Sequence, residues 1–314
     1  MFAFLVRRFL TALVSIFLAA TLVFVALLAV PGDPAEIILG VNASPQSLAA
    51  LRTKLGLDVA PPLRFIKWLG GVLRGDFGES LNYQKPVSRL ILDRLAVSLP
   101  LALLSALLAC SVALPLGIFA ALRRGSVLDP LVVTLSQLGA AVPSFWLGLM
   151  FILLFSVQWG LLPAGGYTPW ARDPLASLRS LALPVLALGL GQAAVMPRMT
   201  RSAMLEVLSQ DYIRTARAKG LPVGRVIWKH GLRNALVTLI TIFGMSLSNL
   251  LVGSIVIEQV FALPGLGRLA LTAIGARDFP LLQGEVLVYA SAIVLLSFLV
   301  DISYGLLDPR IRYD

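Results

Sequence analysis

The chain has 314 residues, of which 58% are hydrophobic and only 13% charged, a balance too apolar for a soluble domain of this length. Its formal charge of +10 is divided among short loops beside apolar runs, with no aromatic-interleaved basic patch, which excludes nucleic acid as the partner. The single cysteine, Cys110, lies inside an apolar run, so a disulfide framework and a cysteine metal site are excluded and a small packed thiol remains.

Arg7 and Arg8 precede residues 9–30, whose length at about 1.5 Å per residue reaches roughly 33 Å, enough to cross the hydrocarbon core. The run is too long for the core of a signal peptide and continues directly into Pro31-Gly32-Asp33-Pro34. It reads as a retained anchor, so residues 1–30 are taken as the N-terminus and first span. Residues 31–94 form the longest external segment. Within it, Leu63, Phe65, Ile66, Leu69 and Val72 interleave with Arg64, Lys67 and Arg74, which predicts a short amphipathic helix lying against the membrane face.

Residues 95–314 form the core, with a second span over 97–122 that contains Pro100 and Pro115 and a third over 131–157 that contains Pro143. Proline in a span frees a backbone carbonyl, so each marks a kink turned toward protein. The loop between them, Arg123-Arg124-Gly125-Ser126, suits the inner side. A fourth span over 181–196 is barely long enough and is interrupted by Pro184, Gly189 and Gly191, as expected of close helix packing; Arg198 and Arg201 end it. The fifth covers 236–256 and the sixth 286–307, separated by Glu258 and by Pro264-Gly265-Leu266-Gly267-Arg268.

Six spans leave both termini on one side. In this arrangement fourteen basic and six acidic residues fall on that side, against twelve and ten on the other. The excess of Lys and Arg assigns the termini to the cytoplasm. The fold class expected is therefore an all-α, polytopic membrane protein with a bundle of six spans.

The one long polar stretch in the second half is 198–236, RMTRSAMLEVLSQDYIRTARAKGLPVGRVIWKHGLRNAL. Leu208, Tyr212 and Ala216 recur at helical spacing and predict one packing face, with cations opposite. Gly220 is a natural helix stop, and Pro222 forces Leu221 out of the helical region, so the chain must turn. Val223, Val226 and Ile227 then open a second helix that runs into the fifth span. Helix, corner and helix between two spans make a shape suited to protruding into another protein.

Catalytic chemistry is missing from the sequence. No G-x-x-x-x-G-K-[ST] phosphate loop occurs, the only histidine, His230, sits in the basic stretch, and no metal-ligand cluster is spelled out. An ion-coupled transporter would place ionisable groups deep in its spans, whereas Glu258, Glu285 and Asp301 fall at predicted span ends. A plain channel would leave the corner at Gly220 and Pro222 without purpose. The deep polar groups are neutral, and Gln137, Ser144, Ser246 and Asn249 are candidates to line a wide, wet pathway. Hydrogen bonding between helices is the alternative use of such groups.

The spelling DYIRTARAKG, with HGLRNAL after it, resembles the "EAA" loop of ABC importer permeases of the dipeptide, oligopeptide and nickel group. PGDP, LGLD, GDFG, VPSFWLG, PGLGR, RDFP and DPRIR extend the resemblance over nearly the whole chain. Two departures stand out: Arg214 replaces the signature acid, and Thr238 stands where a proline is usual. The resemblance implies a cytoplasmic coupling helix, carried by Tyr212, Arg214, Thr215, Ala216, Arg217, Ala218, Lys219 and Gly220, that enters a cleft of an ATPase subunit. It also implies a second permease subunit in a heterodimer, two cytoplasmic ABC ATPase subunits, an external substrate-binding protein near residues 31–94, and the bacterial inner membrane. This chain would hold no cofactor, with ATP and Mg bound by the ATPases. The implied cargo is a dipeptide or oligopeptide, with glutathione or nickel as alternatives.

Overall fold

The structure is a computed structural model that describes residues 2–30, 32, 34–40, 44–54 and 56–307. Pro31, Asp33, Leu55 and the tail from Asp308 onward, which carry parts of the PGDP, LGLD and DPRIR strings, lie outside the described residues.

Among the described residues the regular secondary structure is all helical, with one isolated β-bridge between Glu79 and Pro86. The helices are α1 (Phe2–Leu28), α2 (Pro34–Leu39), α3 (Pro45–Lys54), α4 (Pro61–Val72), α5 (Val87–Leu122), α6 (Leu128–Ala141) and α7 (Ser144–Phe151), the last continuing as a π-helical stretch, Ile152–Gln158. Then come α8 (Pro174–Leu208), α9 (Asp211–Ala218), α10 (Val223–Arg225) with a π-helical stretch Val226–Leu232, α11 (Arg233–Val260), α12 (Leu266–Gly275) and α13 (Phe279–Leu307). The chain divides into two compact units. One holds residues 1–9, 97–268 and 295–314, the other residues 10–96 and 269–294.

Five helices are long and apolar enough to cross a membrane, and α6 with α7 makes a sixth if its two arms, bent by 86°, count as one span. Ion pairs inside the larger unit decide the count. Asp129, in the first turn of α6, accepts two hydrogen bonds from the Arg201 guanidinium of α8, one of them at 2.8 Å. The bent pair and α8 lie between these residues, so both ends meet on one membrane face only if the bent pair crosses once. Arg8 of α1 is paired in the same way with Asp301 of α13, which requires an even number of crossings between them. Six satisfies both.

Two predicted elements need correction. Pro143 does not kink a continuous span but breaks it: Val142 before it is extended (φ −88, ψ 118), the conformation the proline ring favours at the preceding residue. The fourth span is not marginal, since α8 runs for 35 residues through both Pro184 and Pro197 and past Arg198 and Arg201. Its glycine permits contact: a Cβ on Gly189 would lie 2.9 Å from Leu108 and 3.0 Å from the Ser105 carbonyl of α5. Close approach of small residues replaces the hydrophobic effect as the force between helices in lipid.

The larger unit packs Leu101, Leu181, Leu183, Leu250, Ile257 and Phe261 into one core, and Ala109, Met196, Met204, Leu239 and Ile242 into a second. The PGLGR string has a physical role there. A Cβ on Gly265 would lie 2.3 Å from the Glu258 carboxyl carbon, and one on Gly267 would lie 2.4 Å from Ile255 Cα. Only glycine lets α12 begin against the fully buried Glu258, which accepts from Ser98 Oγ (2.5 Å) and the Arg268 amide (3.1 Å). Backbone amides at a helix start suit a carboxylate.

The smaller unit is held by a comparable knot. Asp278, just before α13, accepts from Ser80 Oγ at 2.5 Å, from the Asn82 amide at 3.0 Å and from the Leu281 amide at 3.3 Å. The RDFP string and the loop after GDFG therefore meet at one buried carboxylate. The predicted amphipathic helix is present as α4, and Pro61 and Pro62 occupy its first turn, where their missing amides cost nothing.

Candidate functional site

The polar stretch folds as an elbow. α8 ends at Leu208, Gln210 is extended (ψ 150) ahead of α9, and Lys219 caps α9 before Gly220 turns at φ +73. That conformation is strained for a residue with a Cβ, and a Cβ there would meet no atom within 4 Å. Glycine at 220 is thus demanded by the backbone and not by crowding within this chain. Pro222 is extended, and α10 starts at the next residue.

The elbow has a small core of its own. Ile213, Ala216 and Val226 are buried together, with Leu208 and Leu221 packed against them. Of the face read from the sequence as Leu208, Tyr212 and Ala216, Leu208 and Ala216 pack in this core and Tyr212 does not: with the helix broken at Ser209 and Gln210, Ile213 points inward and Tyr212 outward, 42% exposed. Ile213 was the residue missed. Its signal was present, as the one branched aliphatic in α9, flanked by polar neighbours.

Of the eight coupling candidates, Ala216 faces this inner core, while Tyr212, Arg214, Thr215, Arg217, Ala218, Lys219 and Gly220 are exposed. Arg214 lies 3.3 Å from Asp211, but both side chains are at least 80% exposed, so water screens the pair. The Thr215 hydroxyl donates to the Asp211 carbonyl at 3.0 Å. Exposed Val223 and Trp228 adjoin this cationic face in the chain. Cations beside exposed aromatic and aliphatic groups are the composition of an interaction surface rather than of a solvated turn. His230 lies in the π-helical stretch, where its carbonyl accepts from Asn234, and no group of three or more metal-ligating side chains occurs among the described residues.

The four pathway candidates separate. Ser246 is buried and accepts from the Gln192 amide at 2.8 Å, tying α11 to α8. Ser144 is half-buried at the start of α7, opposite Gly191. Gln137 on α6 and Asn249 on α11 are exposed. Asn249 belongs to a stripe on α11, with Thr238, Met245, Val252 and Val256, that the larger unit leaves uncovered. Beside the end of the stripe nearest the start of α11, α8 and α11 enclose an open cleft of about 710 Å³ whose polar lining includes Arg198, Ser202, Glu206, Thr238 and Thr241.

An exposed elbow between two spans, followed by a span whose uncovered stripe is apolar with Thr238 and Asn249 set into it, suggests a transport subunit, and comparison with known proteins decides the family. The pattern of the binding-protein-dependent transport system inner membrane component matches residues 113–313, and that of its N-terminal part matches residues 1–102. The chain belongs to this family. A protein of Brucella abortus whose name assigns it to a peptide transport system as permease is 45% identical over the full length of both chains. The di/tripeptide transport system permease protein DppB of Pseudomonas aeruginosa is 40% identical, with 100% of this chain and 99% of that one covered. The glutathione transport system permease protein GsiC of Salmonella typhimurium is 40% identical over 100% of both. In fold, 70% of the chain matches 96% of a chain from the inward-facing MetNI methionine ABC transporter, with a TM-score of 0.57 and 19% identity. The protein is an integral inner-membrane permease of an ABC importer, a non-catalytic transport component that works with ATPase subunits.

Proposed function

We propose that this permease forms half of a translocation pathway for short peptides, pairs with a second, different permease chain, and receives cargo from an external binding protein. Two cytoplasmic ATPase subunits, which bind the ATP and Mg, seat the elbow in a cleft of their surface. The observation that carries this reading is the elbow itself: its own core of Ile213, Ala216 and Val226 stiffens it, while Tyr212, Arg214, Thr215, Arg217 and Lys219 stay exposed.

Mechanically, α9 is joined to α8 through Ser209 and Gln210 and to α10 through the turn Lys219–Pro222, and its inward face packs on Leu208 of α8 and on Val226 of the π-helical stretch that leads into α11. A push on α9 therefore reaches the stripe bearing Asn249 and the cleft beside Arg198 through packed side chains and short connections. Rigid helices with two packings convert such a push into alternating access. The neutral surface of Gln137, Ser144 and Asn249 suits a cargo that must not be held tightly in either state. The peptide assignment draws on relatives named for peptide, di/tripeptide and glutathione transport.

The excess of Lys and Arg beside the elbow and the chain ends supports a cytoplasmic side for all three. The test is uptake of a labelled dipeptide by a strain lacking this chain and complemented with it. Restored uptake that Gly220→Trp abolishes, while ATP hydrolysis persists, is expected. Undiminished uptake by that variant would refute the lever, and absence of any peptide uptake would refute the substrate class.

A further inference from the structure

The amphipathic helix α4 has two faces with different fates. Phe65 on one face meets two rings of α1, with centroids 5.1 Å from Phe24 and 6.0 Å from Phe17, and Trp68 packs beside it at 6.1 Å. The Arg64 guanidinium sits 5.4 Å from the Phe24 ring. On the opposite face Leu63, Ile66 and Leu73 are exposed by 49, 64 and 82%.

The position of α1 sets the depth of α4. Leu5–Leu28 is long and apolar enough to cross a membrane and carries no charge after Arg8, and at about 1.5 Å per residue Phe24 lies roughly 6 Å, and Phe17 roughly 17 Å, inside its far end. A ring in contact with both cannot stand in water beyond the membrane. It lies at the depth where amphipathic helices rest between headgroups and acyl chains.

From this we infer that α4 is immersed in the leaflet at the far end of α1, with Leu63, Ile66 and Leu73 against acyl chains and Lys67 and Arg74 reaching anionic phospholipid headgroups. By helical spacing, Lys67 stands one turn beyond Leu63, with Ile66 and Leu73 to one side of that line, so one roll angle puts the apolar residues against acyl chains while the long Lys67 side chain reaches outward. Long basic side chains reach the headgroups while their stems stay apolar. The occupant of this face is lipid, because the rings of α1 hold α4 at the depth of the acyl chains and the exposed Lys67 and Arg74 beside the apolar residues match anionic headgroups rather than an apolar helix of a partner.

The inference depends on α1 and not on the cargo, so its failure would leave the transport reading standing. The experiment uses the assembled transporter in nanodiscs containing phosphatidylglycerol, with Cys110→Ala and a nitroxide on Ile66→Cys. Labels on Leu22→Cys, whose parent residue is 69% exposed on α1, and on Lys219→Cys serve as the lipid and water references. Collision with oxygen several-fold above collision with a neutral nickel chelate, as at Leu22, is expected. A ratio like that at Lys219, or low collision with both agents as under a protein cover, would overturn the immersion. For the headgroups, phosphatidylglycerol should raise the melting temperature of the parent transporter above its value in phosphatidylcholine, and Lys67→Glu with Arg74→Glu should remove the rise. A rise retained by that double variant would overturn the headgroup assignment.

Discussion

Arg201 of α8 and Asp129 of α6 grip each other through two parallel hydrogen bonds, and side-chain exposures of only 21 and 11% keep water from competing. The pair locks the helix that leads into the elbow to the first arm of the broken span. Asp129→Asn should therefore lower the detergent melting temperature and dipeptide uptake far more than Arg198→Ala, whose side chain is exposed. The exchange Asp129→Arg with Arg201→Asp should recover part of both. Equal effects of Asp129→Asn and Arg198→Ala would show that the pair carries no special weight.

At Gly117 the packing leaves no room. A Cβ there would lie 2.5 Å from Thr200 Cβ and 2.7 Å from the Pro197 carbonyl oxygen, so α5 and α8 must part. Overpacking of this kind costs about 1–3 kcal/mol, which exceeds the gain of about 1 kcal/mol that alanine brings to a helix. Gly117→Ala should lower thermal stability, and Gly224→Ala, where nothing lies within 4 Å, should not.

The buried carboxylate of Glu258 satisfies Ser98 and the start of α12. Glu258→Ala leaves those donors without an acceptor, at a cost of about 1–3 kcal/mol for a buried polar group. Gly265→Ala should produce a similar loss from the opposite direction, by pressing a methyl into the carboxylate. Both are read from melting curves, and a double variant less damaging than the sum would show that the two act on one contact.

Because Gly220 is left-handed but uncrowded, backbone tolerance and docking can be separated. Asparagine adopts that conformation readily and β-branched residues do not, so Gly220→Asn should keep most uptake and Gly220→Val should lower uptake per ATP hydrolysed. Loss in both variants, with insertion intact, would point to steric exclusion by the partner.

ATP turnover should require the partners. The purified chain should show no ATPase activity, and adding the ATPase subunits should restore it; turnover by the chain alone would contradict the division of labour.

What the sequence determined by itself was whatever one stretch of chain decides alone. Apolar length made the spans, Lys and Arg placement supplied the proposed direction, Gly220 and Pro222 made the corner, and the run of family-like strings named the transport class. Tertiary structure decided what depends on residues far apart. Nothing local to Glu258 announces Ser98, 160 positions away, or to Asp278 announces Ser80, 198 away. Whether Ser246 faces a pathway or Gln192 is settled only by which helix lies opposite. That Ile213 rather than Tyr212 joins Leu208 and Ala216 in the elbow core followed from the break at Ser209 and Gln210, where a new helix begins.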